Sequence, residues 1–471
     1  MLLERYYDES LAQASFLIAC EATSEAIIID PNMVERYETT LASRRLRVRY
    51  VTETHIHADY LSGSRPLAKA HNAQLLLSAH GGADWTYAGT GQNTVRLLRD
   101  GDSIIVGNIR LDVLHTPGHT PEHICFLVTD LPTSDKPIGL ISGDFLFVGD
   151  VGRPDLLERA AHVAGTMEQS ARDLYRSLRR LKNLPDYLQV WPGHGAGSAC
   201  GKALGSLPQT TLGYERLYNP ALKPRSEGDF VTWVLGDQPE PPRYFARMKR
   251  LNRDGAPESD GAASRSYPSE DIERLLDGGA QVVDVRPARE FAQSHVAGTI
   301  SVPYSKSFVT HAGTVVNSDQ PLAVIGQGPD QAARITRALA LIGVAPAFGE
   351  PGVIDDIARR GRRPMATVPT IDAAALADQF ARSGTKVIDV RGRSEWRSGH
   401  LAKAEHIFLG DLVAQASMPR DLQIVVHCQS GTRSSIAASL LMREGFTNVT
   451  NFAGGFDAWE RAGFPVVRVD Q

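Results

Sequence analysis

Residues 51–63 read Val-Thr-Glu-Thr-His-Ile-His-Ala-Asp-Tyr-Leu-Ser-Gly. Within this stretch His55, His57, Asp59 and Tyr60 fall inside six residues. Alternate side chains of an extended segment point the same way, so His55, His57 and Asp59 can converge on one pocket. Neutral imidazole beside carboxylate suits a first-row metal ion. Just upstream, Leu46, Val48 and Tyr50 alternate as a strand that feeds directly into the cluster.

Outward from this stretch, residues 1–250 alternate short strands and helices. Strands are predicted at 26–30, 74–78, 94–98, 104–106, 109–114, 124–128, 138–142 and 188–191, and helices at 33–42, 64–71 and 167–182. The strand at 109–114 runs into His115-Thr-Pro-Gly-His119-Thr-Pro, that at 138–142 ends at Gly143-Asp144, and that at 188–191 ends at Pro192-Gly-His194-Gly. Candidate site groups thus sit at 55–60, 119, 144 and 194, all at strand ends, where a scaffold carries grafted chemistry.

The chain has 471 residues, too many for one hydrophobic core. Its 42% hydrophobic and 22% charged content is that of soluble globular protein. A net charge of −4 without a basic block gives no electrostatic footprint for nucleic acid, and no apolar run approaches a membrane span. The opening Met-Leu-Leu-Glu-Arg-Tyr-Tyr-Asp-Glu-Ser has no apolar signal-peptide core. Cys20, Cys125, Cys200 and Cys428 are too scattered for a disulfide framework. The expectation is a cytoplasmic protein with one or more working thiols.

Residues 251–266, polar and rich in Gly and Ser, read as a linker. Beyond it the chain repeats itself. Val282-Val-Asp284-Val-Arg286, Glu290-Phe291 and Ser294-His295-Val-Ala-Gly298 recur as Val387-Ile-Asp389-Val-Arg391, Glu395-Trp396 and Gly399-His400-Leu-Ala402, at an offset of 105 residues. Farther on, Leu322-Ala-Val-Ile-Gly326 aligns with Ile424-Val-Val-His-Cys428 at an offset of 102. Each copy is long enough for one small α/β domain. In the second copy an apolar strand leads to His427-Cys428-Gln-Ser430-Gly431-Thr432-Arg433 and a helix. Backbone N–H groups at such a helix start form a cradle that favours a thiolate and holds an anionic sulfur group.

Thr54-His55-Ile-His57-Ala-Asp59-Tyr60, Pro117-Gly-His119-Thr, Gly143-Asp144 and Pro192-Gly-His194 together resemble the metallo-β-lactamase superfamily over about the first 250 residues. The resemblance implies an αββα sandwich with its site at one edge. Tyr60 stands where the family has a histidine that, with the matches of Asp59 and His194, builds a second metal site. The chain looks most like the persulfide dioxygenase branch. That branch implies one Fe(II) on His55, His119 and Asp144, with open positions for substrate sulfur and O2, and His57, Asp59, Tyr60 and His194 one shell back. Gly152-Arg153-Pro-Asp155 aligns Arg153 with an arginine that contacts the substrate carboxylate in that branch. Cys200, six residues after His194 in a glycine-rich loop, is read either as an accessory thiol that carries sulfur or as a small buried hydrophobe.

Residues 367–471 resemble the rhodanese family through Cys428 to Arg433, Asp389 to Leu401 and Gly454-Gly-Phe-Asp-Ala-Trp459. Cys428 is then the sulfur-carrying nucleophile, and Ser430, Gly431, Thr432 and Arg433 its anion cradle. The copy at 267–363 has Gly326 in place of Cys428 and Gln331 in place of Arg433, a rhodanese-like domain without catalysis.

The whole is thus read as a multidomain α/β and α+β chain: an αββα sandwich at 1–250, a linker, and two small rhodanese domains. Its expected chemistry is oxidation of a low-molecular-weight persulfide, such as glutathione persulfide, to thiol and sulfite, joined to a sulfurtransferase that forms or consumes thiosulfate. A homo-oligomer, dimer or tetramer, is expected from the superfamily. Two other readings stand beside it: a two-metal hydroxyacylglutathione hydrolase-like thioester hydrolase, and a sulfur-carrier or sensing module with a non-catalytic metal domain.

Overall fold

The structure is a computed structural model that describes all residues except 92–93, 160–164, 224, 257–265, 327, 382–383 and 469–471, with backbone only at 157, 329 and 381. It divides into two compact units, Met1–Glu258 and Ser259–Gln471.

Among the described residues of the first unit, twelve strands form two sheets. The first sheet runs in sequence order: β1 (Leu2–Asp8), β2 (Gln13–Cys20), β3 (Glu25–Ile29), β4 (Arg47–Thr52), β5 (Gln74–Ser78) and β6 (Val95–Leu98). The second holds β7 (Ser103–Val106), β8 (Ile109–His115), β9 (Ile124–Asp130), β10 (Gly139–Gly143), β11 (Gln189–Pro192) and β12 (Thr210–Thr211). β1 to β3 pair antiparallel, whereas β3 to β6 are parallel. In the second sheet only β10 and β11 pair parallel.

The period-two alternation of each strand divides its apolar residues between two cores. Along β2, Ala14, Phe16 and Ile18 face the other sheet, where Ile104, Leu111, Phe126, Ile141 and Trp191 meet them. Leu17 and Ala19 point outward, under a layer that contains Leu67 of the helix Ser64–Ala70. On the opposite side Leu127, Leu140 and Val190 pack against Leu174 and Leu178 of the helix Met167–Arg180. Both faces of both sheets are therefore covered, which is the expected αββα sandwich. The predicted strand at Gln74–Ser78 is reproduced residue for residue. The β1–β2 hairpin is new: β2 is buried on both faces and shows no clean alternation in sequence.

The linker starts later than expected. Residues 251–254 complete the helix Phe245–Asp254, which buries Met248 and Asn252 against the sandwich. Ser266 already pairs in a strand with Phe348, and residues 257–265 lie outside the described residues.

In the second unit the two repeats build matching five-stranded sheets. The first orders Ser266–Tyr267, Ala347–Gly349, Leu322–Ile325, Gln281–Asp284 and Ile300–Ser301; the second orders Thr370–Ile371, Val449–Phe452, Gln423–His427, Thr385–Asp389 and Ala404–His406. All pairs are parallel, and the central strands are buried Val/Ile runs, as parallel sheets covered on both faces require. The repeats touch along the helix Thr432–Arg443. Ser301 N donates to Ser439 Oγ at 2.9 Å, and Arg443 donates to the carbonyls of Gly298, Gly279 and Ala280 at 2.8, 2.8 and 3.1 Å.

Candidate active site: a metal centre and a sulfur cradle

The four segments at strand ends do meet. His55 follows β4, His119 follows β8, Asp144 follows β10 and His194 follows β11. Ligand atoms of His55, His119 and Asp144 lie within 4.8 Å of one another, all buried. His119 Nε2 is 3.4 Å and His55 Nε2 3.8 Å from Asp144 Oδ2. Among the described residues neither oxygen of Asp144 has a hydrogen-bond partner. An unpaired buried carboxylate is costly, and two imidazole nitrogens facing it make a set that fits a divalent cation.

The surroundings fix each ligand. Asp30, just past β3 with φ 55°, accepts from Thr54 N at 2.6 Å and Thr54 Oγ1 at 2.9 Å. With its proton on Asp30, Thr54 Oγ1 accepts from His55 Nδ1 at 3.0 Å. His119 Nδ1 donates to the Arg153 carbonyl at 3.0 Å. Both rings therefore turn Nε2 lone pairs inward, the arrangement metal-binding histidines need. Burial holds His55 well below the ordinary histidine pKa and lowers His119, so both stay neutral ligands. Asp144 N donates to His123 Nε2 at 3.1 Å, and His123 stacks on His55. Gly143, at φ 51°, leaves no room for a side chain: a Cβ there would meet Thr54 Oγ1 at 2.6 Å and His123 Nε2 at 2.8 Å.

His57 and Tyr60 turn elsewhere. His57 Nε2 donates to Asp30 Oδ1 at 3.1 Å. Burial opposes its charge, but the Asp30 carboxylate outweighs it and pushes the ring up to about 9. Tyr60 is fully buried beside the His57 ring, and its hydroxyl donates to the Asp30 carbonyl at 3.1 Å. Asp59 and His194 sit together, Oδ2 to Nε2 at 3.2 Å, and Cys200 joins them as a second buried group. Burial pushes the Cys200 thiol up to about 12.

Arg153 is a correction. Its side chain is completely buried; Nε and Nη2 donate to Asp155 at 2.8 and 2.7 Å, and Nη1 to the Ala199 carbonyl at 3.0 Å. The fork expected to grip a substrate carboxylate is taken by Asp155, two residues on, and it fastens the Cys200 loop to the site.

Several site residues escape a reading of the sequence. Asn252, on the helix Phe245–Asp254, donates to the carbonyls of His57 and Tyr60 at 2.7 Å each and accepts from Ser62 N. Tyr244 donates to the Asp59 carbonyl at 2.9 Å. Glu122 accepts from Ile56 N at 2.7 Å, and burial pushes it up to about 7. His123 did leave a signal, in the Pro-Glu-His that extends the His119 motif.

In the second unit Cys428 ends the strand Gln423–His427. Gly431 N donates to its sulfur at 3.2 Å, Ser434 Oγ approaches at 3.6 Å, and Thr432 opens the following helix. Gly431, φ 107°, passes so close to Ala453 that a Cβ would lie 2.0 Å from its carbonyl oxygen. Phe456 N and Asp457 N donate to the carbonyls of Cys428 and Gln429 at 2.8 and 3.0 Å, locking the turn from outside. Arg433 is paired bidentately with Glu395 at 2.6 and 2.7 Å, at the rim of the cradle. In the first repeat Gly326, φ 112°, sits against Asp284 and Arg286; a Cβ there would come within 2.9 Å of Arg286 Cγ. That repeat lacks both the thiol and the space for one.

A sandwich with this cluster of histidines and aspartates at its strand ends defines a metallo-β-lactamase-fold metalloprotein. Residues 10–194 match the metallo-beta-lactamase superfamily, and residues 269–351 and 372–462 match the rhodanese-like domain. A hydroxyacylglutathione hydrolase of Polaromonas is 30% identical over 288 residues, 53% of this chain and 98% of that protein. A probable metallo-hydrolase of Burkholderia pseudomallei is 27% identical over 220 residues, 41% of this chain and 72% of that protein. The crystal structure of a metallo-beta-lactamase from Staphylococcus aureus is similar at 38% identity and a TM-score of 0.67, covering 74% of this chain and 98% of that one. The chain belongs to the metallo-β-lactamase superfamily, a metal-dependent family, and carries two rhodanese-like domains behind its metal domain. Among the described residues no helix is long and apolar enough to cross a membrane.

Proposed function

We propose that the first unit is a mononuclear Fe(II) persulfide dioxygenase and that the Cys428 domain is a sulfurtransferase working on the same sulfur pool. The dioxygenase reaction is R–S–SH + O2 + H2O → R–SH + H2SO3, in which the terminal sulfur is oxidised to sulfite by the four electrons O2 accepts. The observation that carries this reading is Tyr60, whose hydroxyl is held by Asp30 and which contributes no ligand beside Asp59 and His194. Two neutral histidines and one carboxylate on one face, with other positions open, suit a non-haem Fe(II) oxygenase.

When bound, Fe(II) supplies the one-electron chemistry that lets O2 react with a closed-shell persulfide. The chain supplies the rest. His55 and His119 are kept neutral and aimed by Thr54 and the Arg153 carbonyl. Burial of the whole cluster excludes bulk water. The imidazolium of His57, next to the centre, is compensated by Asp30.

In the sulfurtransferase, Cys428 attacks the outer sulfur of a persulfide and releases the thiol, R–S–SH + Cys–SH → R–SH + Cys–S–SH. Sulfite then takes that sulfur as thiosulfate and restores Cys–SH; the steps also run in reverse. The Gly431 N–H stabilises negative charge on Cys428 throughout. Glutathione persulfide or a similar small persulfide is the proposed substrate, with sulfite and thiosulfate as the shared products. Four free cysteines fit a reducing cytoplasm, and a dimer or tetramer is the proposed assembly.

The two-metal thioester hydrolase remains a second reading because of the 30% identity to the Polaromonas hydroxyacylglutathione hydrolase. Iron content with O2 uptake on glutathione persulfide, set against turnover of a glutathione thioester, separates the two. A carrier or sensing module predicts neither activity.

A further inference from the structure

The first repeat borders the Cys428 cradle at two points. Asp389 pairs in register with His406 on one side and His427 on the other, so these parallel strands end at one edge, and Cys428 follows at that edge. The turn Leu409–Asp411 comes just after His406. The helix Phe308–Val315 of the first repeat packs against it: a Cβ on Gly410 would lie 3.4 Å from Thr314 Cγ2. The second point is Ser301, whose N donates to Ser439 Oγ and whose Oγ lies 3.2 Å from Ser435 Oγ. Ser435 stands two residues after Arg433 on the helix that opens at the cradle. His311 lies on the segment that joins these two points, between Ser301 and Thr314.

His311 Nδ1 is buried, and among the described residues it has no hydrogen-bond partner. Burial and the nearby Arg433 guanidinium push the ring down to about 4, so it is neutral at pH 7 and carries one N–H. A buried polar group left unmet is costly, and a ligand or water must complete it. The other donors of the cradle already have work. Gly431 N–H is spent on the Cys428 sulfur at 3.2 Å, and the Arg433 fork on Glu395 at 2.6 and 2.7 Å. The oxygens of an entering sulfur anion are left to other groups.

We propose that His311 is a substrate-binding residue of the Cys428 site, donating its imidazole N–H to an oxygen of thiosulfate or sulfite, so that one site is built from both repeats. When the Cys428 thiolate takes the outer sulfur of thiosulfate, a new S–S bond forms on Cys428, the S–S bond of thiosulfate breaks, and sulfite leaves with the electron pair. Negative charge grows on the sulfite oxygens, where a fixed donor stabilises it. A persulfide R–S–SH has no such oxygen. His311 therefore sets the preference between oxidised and reduced sulfur donors. The inference rests on the sulfurtransferase reading of Cys428 and names what that site selects.

The test compares two donors on the full chain, thiosulfate and glutathione persulfide, by the rate at which each loads sulfur on Cys428, read by peptide mass spectrometry. His311→Ala should lower the thiosulfate rate relative to the persulfide rate about tenfold, each tenfold being about 1.4 kcal/mol. His311→Gln keeps an N–H donor and should recover most of that preference. A structural role would lower both rates together, so an unchanged ratio in His311→Ala overturns the proposal. So does a ratio in His311→Gln as low as that of the alanine variant. If neither donor loads Cys428 in the unsubstituted chain, the sulfurtransferase reading fails, and protection of Cys428 from iodoacetamide by sulfite decides the inference instead. That protection should weaken about tenfold in His311→Ala. Equal protection in the two chains, or none in either, overturns it.

Discussion

The hydroxyl of Tyr60 donates to the backbone carbonyl of Asp30 at 3.1 Å, deep in the sandwich. This bond decides what the residue is for. A phenol committed to a carbonyl is not a metal ligand, and its ring instead packs beside His57, whose own Nε2 is on the Asp30 carboxylate. One aspartate at the end of β3 thus orders the loop from Thr54 to Tyr60.

Tyr60→Phe should therefore keep iron content and leave O2 uptake on persulfide within about threefold of the unsubstituted chain. It removes one buried hydrogen bond, so denaturant unfolding should show a loss of about 1 kcal/mol. Loss of the iron in this variant would mean the hydroxyl acts at the metal.

The His57–Asp30 pair gives a pH signature in the metal-free chain. Folding raises His57 from 6.5 to about 9, so the pair's stabilisation is fully present below pH 6.5 and is lost as pH rises through 9. Stability should fall on the order of 3 kcal/mol across that window. His57→Gln should flatten the fall, measured by urea unfolding at successive pH values.

Restoring a thiol to the first repeat should not restore chemistry. In Gly326→Cys the new Cβ meets Arg286 Cγ at 2.9 Å and Asp284 Oδ1 at 3.0 Å, at a φ of 112° that side chains rarely adopt. The expected cost is about 1–3 kcal/mol. A Cys428→Ser/Gly326→Cys double variant should show no thiosulfate sulfurtransferase activity.

The repeat without a thiol still serves the one that has it. Arg443 ends the helix that starts at the Cys428 cradle, and it is tied to three carbonyls of the first repeat. Arg443→Ala should lower sulfurtransferase turnover several-fold and destabilise the second unit by roughly 2 kcal/mol, at about 1 kcal/mol or less per bond. O2 uptake by the first unit should not change.

Much of this was legible before the structure. Histidines and aspartates at the ends of alternating apolar strands announced the metal centre, and the offset repeat announced two copies of one domain. What stayed hidden acts through backbone atoms or across long separations. Asn252 reaches the His57 carbonyl from 195 residues away, and no local pattern marks an asparagine that binds carbonyls. Arg153 takes its expected role from a resemblance to a family arginine, and a motif match does not show that Asp155, two residues on, claims its fork. Asp30 ends the strand predicted at 26–30 just before a proline, a turn signal that says nothing of its carboxylate, which acts on Thr54 and His57. Cys200 stands between two roles in the sequence, which gives no distance from a glycine-rich loop to His194.

The central claim is tested most directly by O2 consumption. The iron-reconstituted full chain, given glutathione persulfide in an oxygen electrode, should consume one O2 and release one sulfite for each persulfide. Cys428→Ser should leave that stoichiometry intact. No O2 uptake from an iron-loaded chain, together with turnover of a glutathione thioester when two zinc ions are bound, would contradict the account.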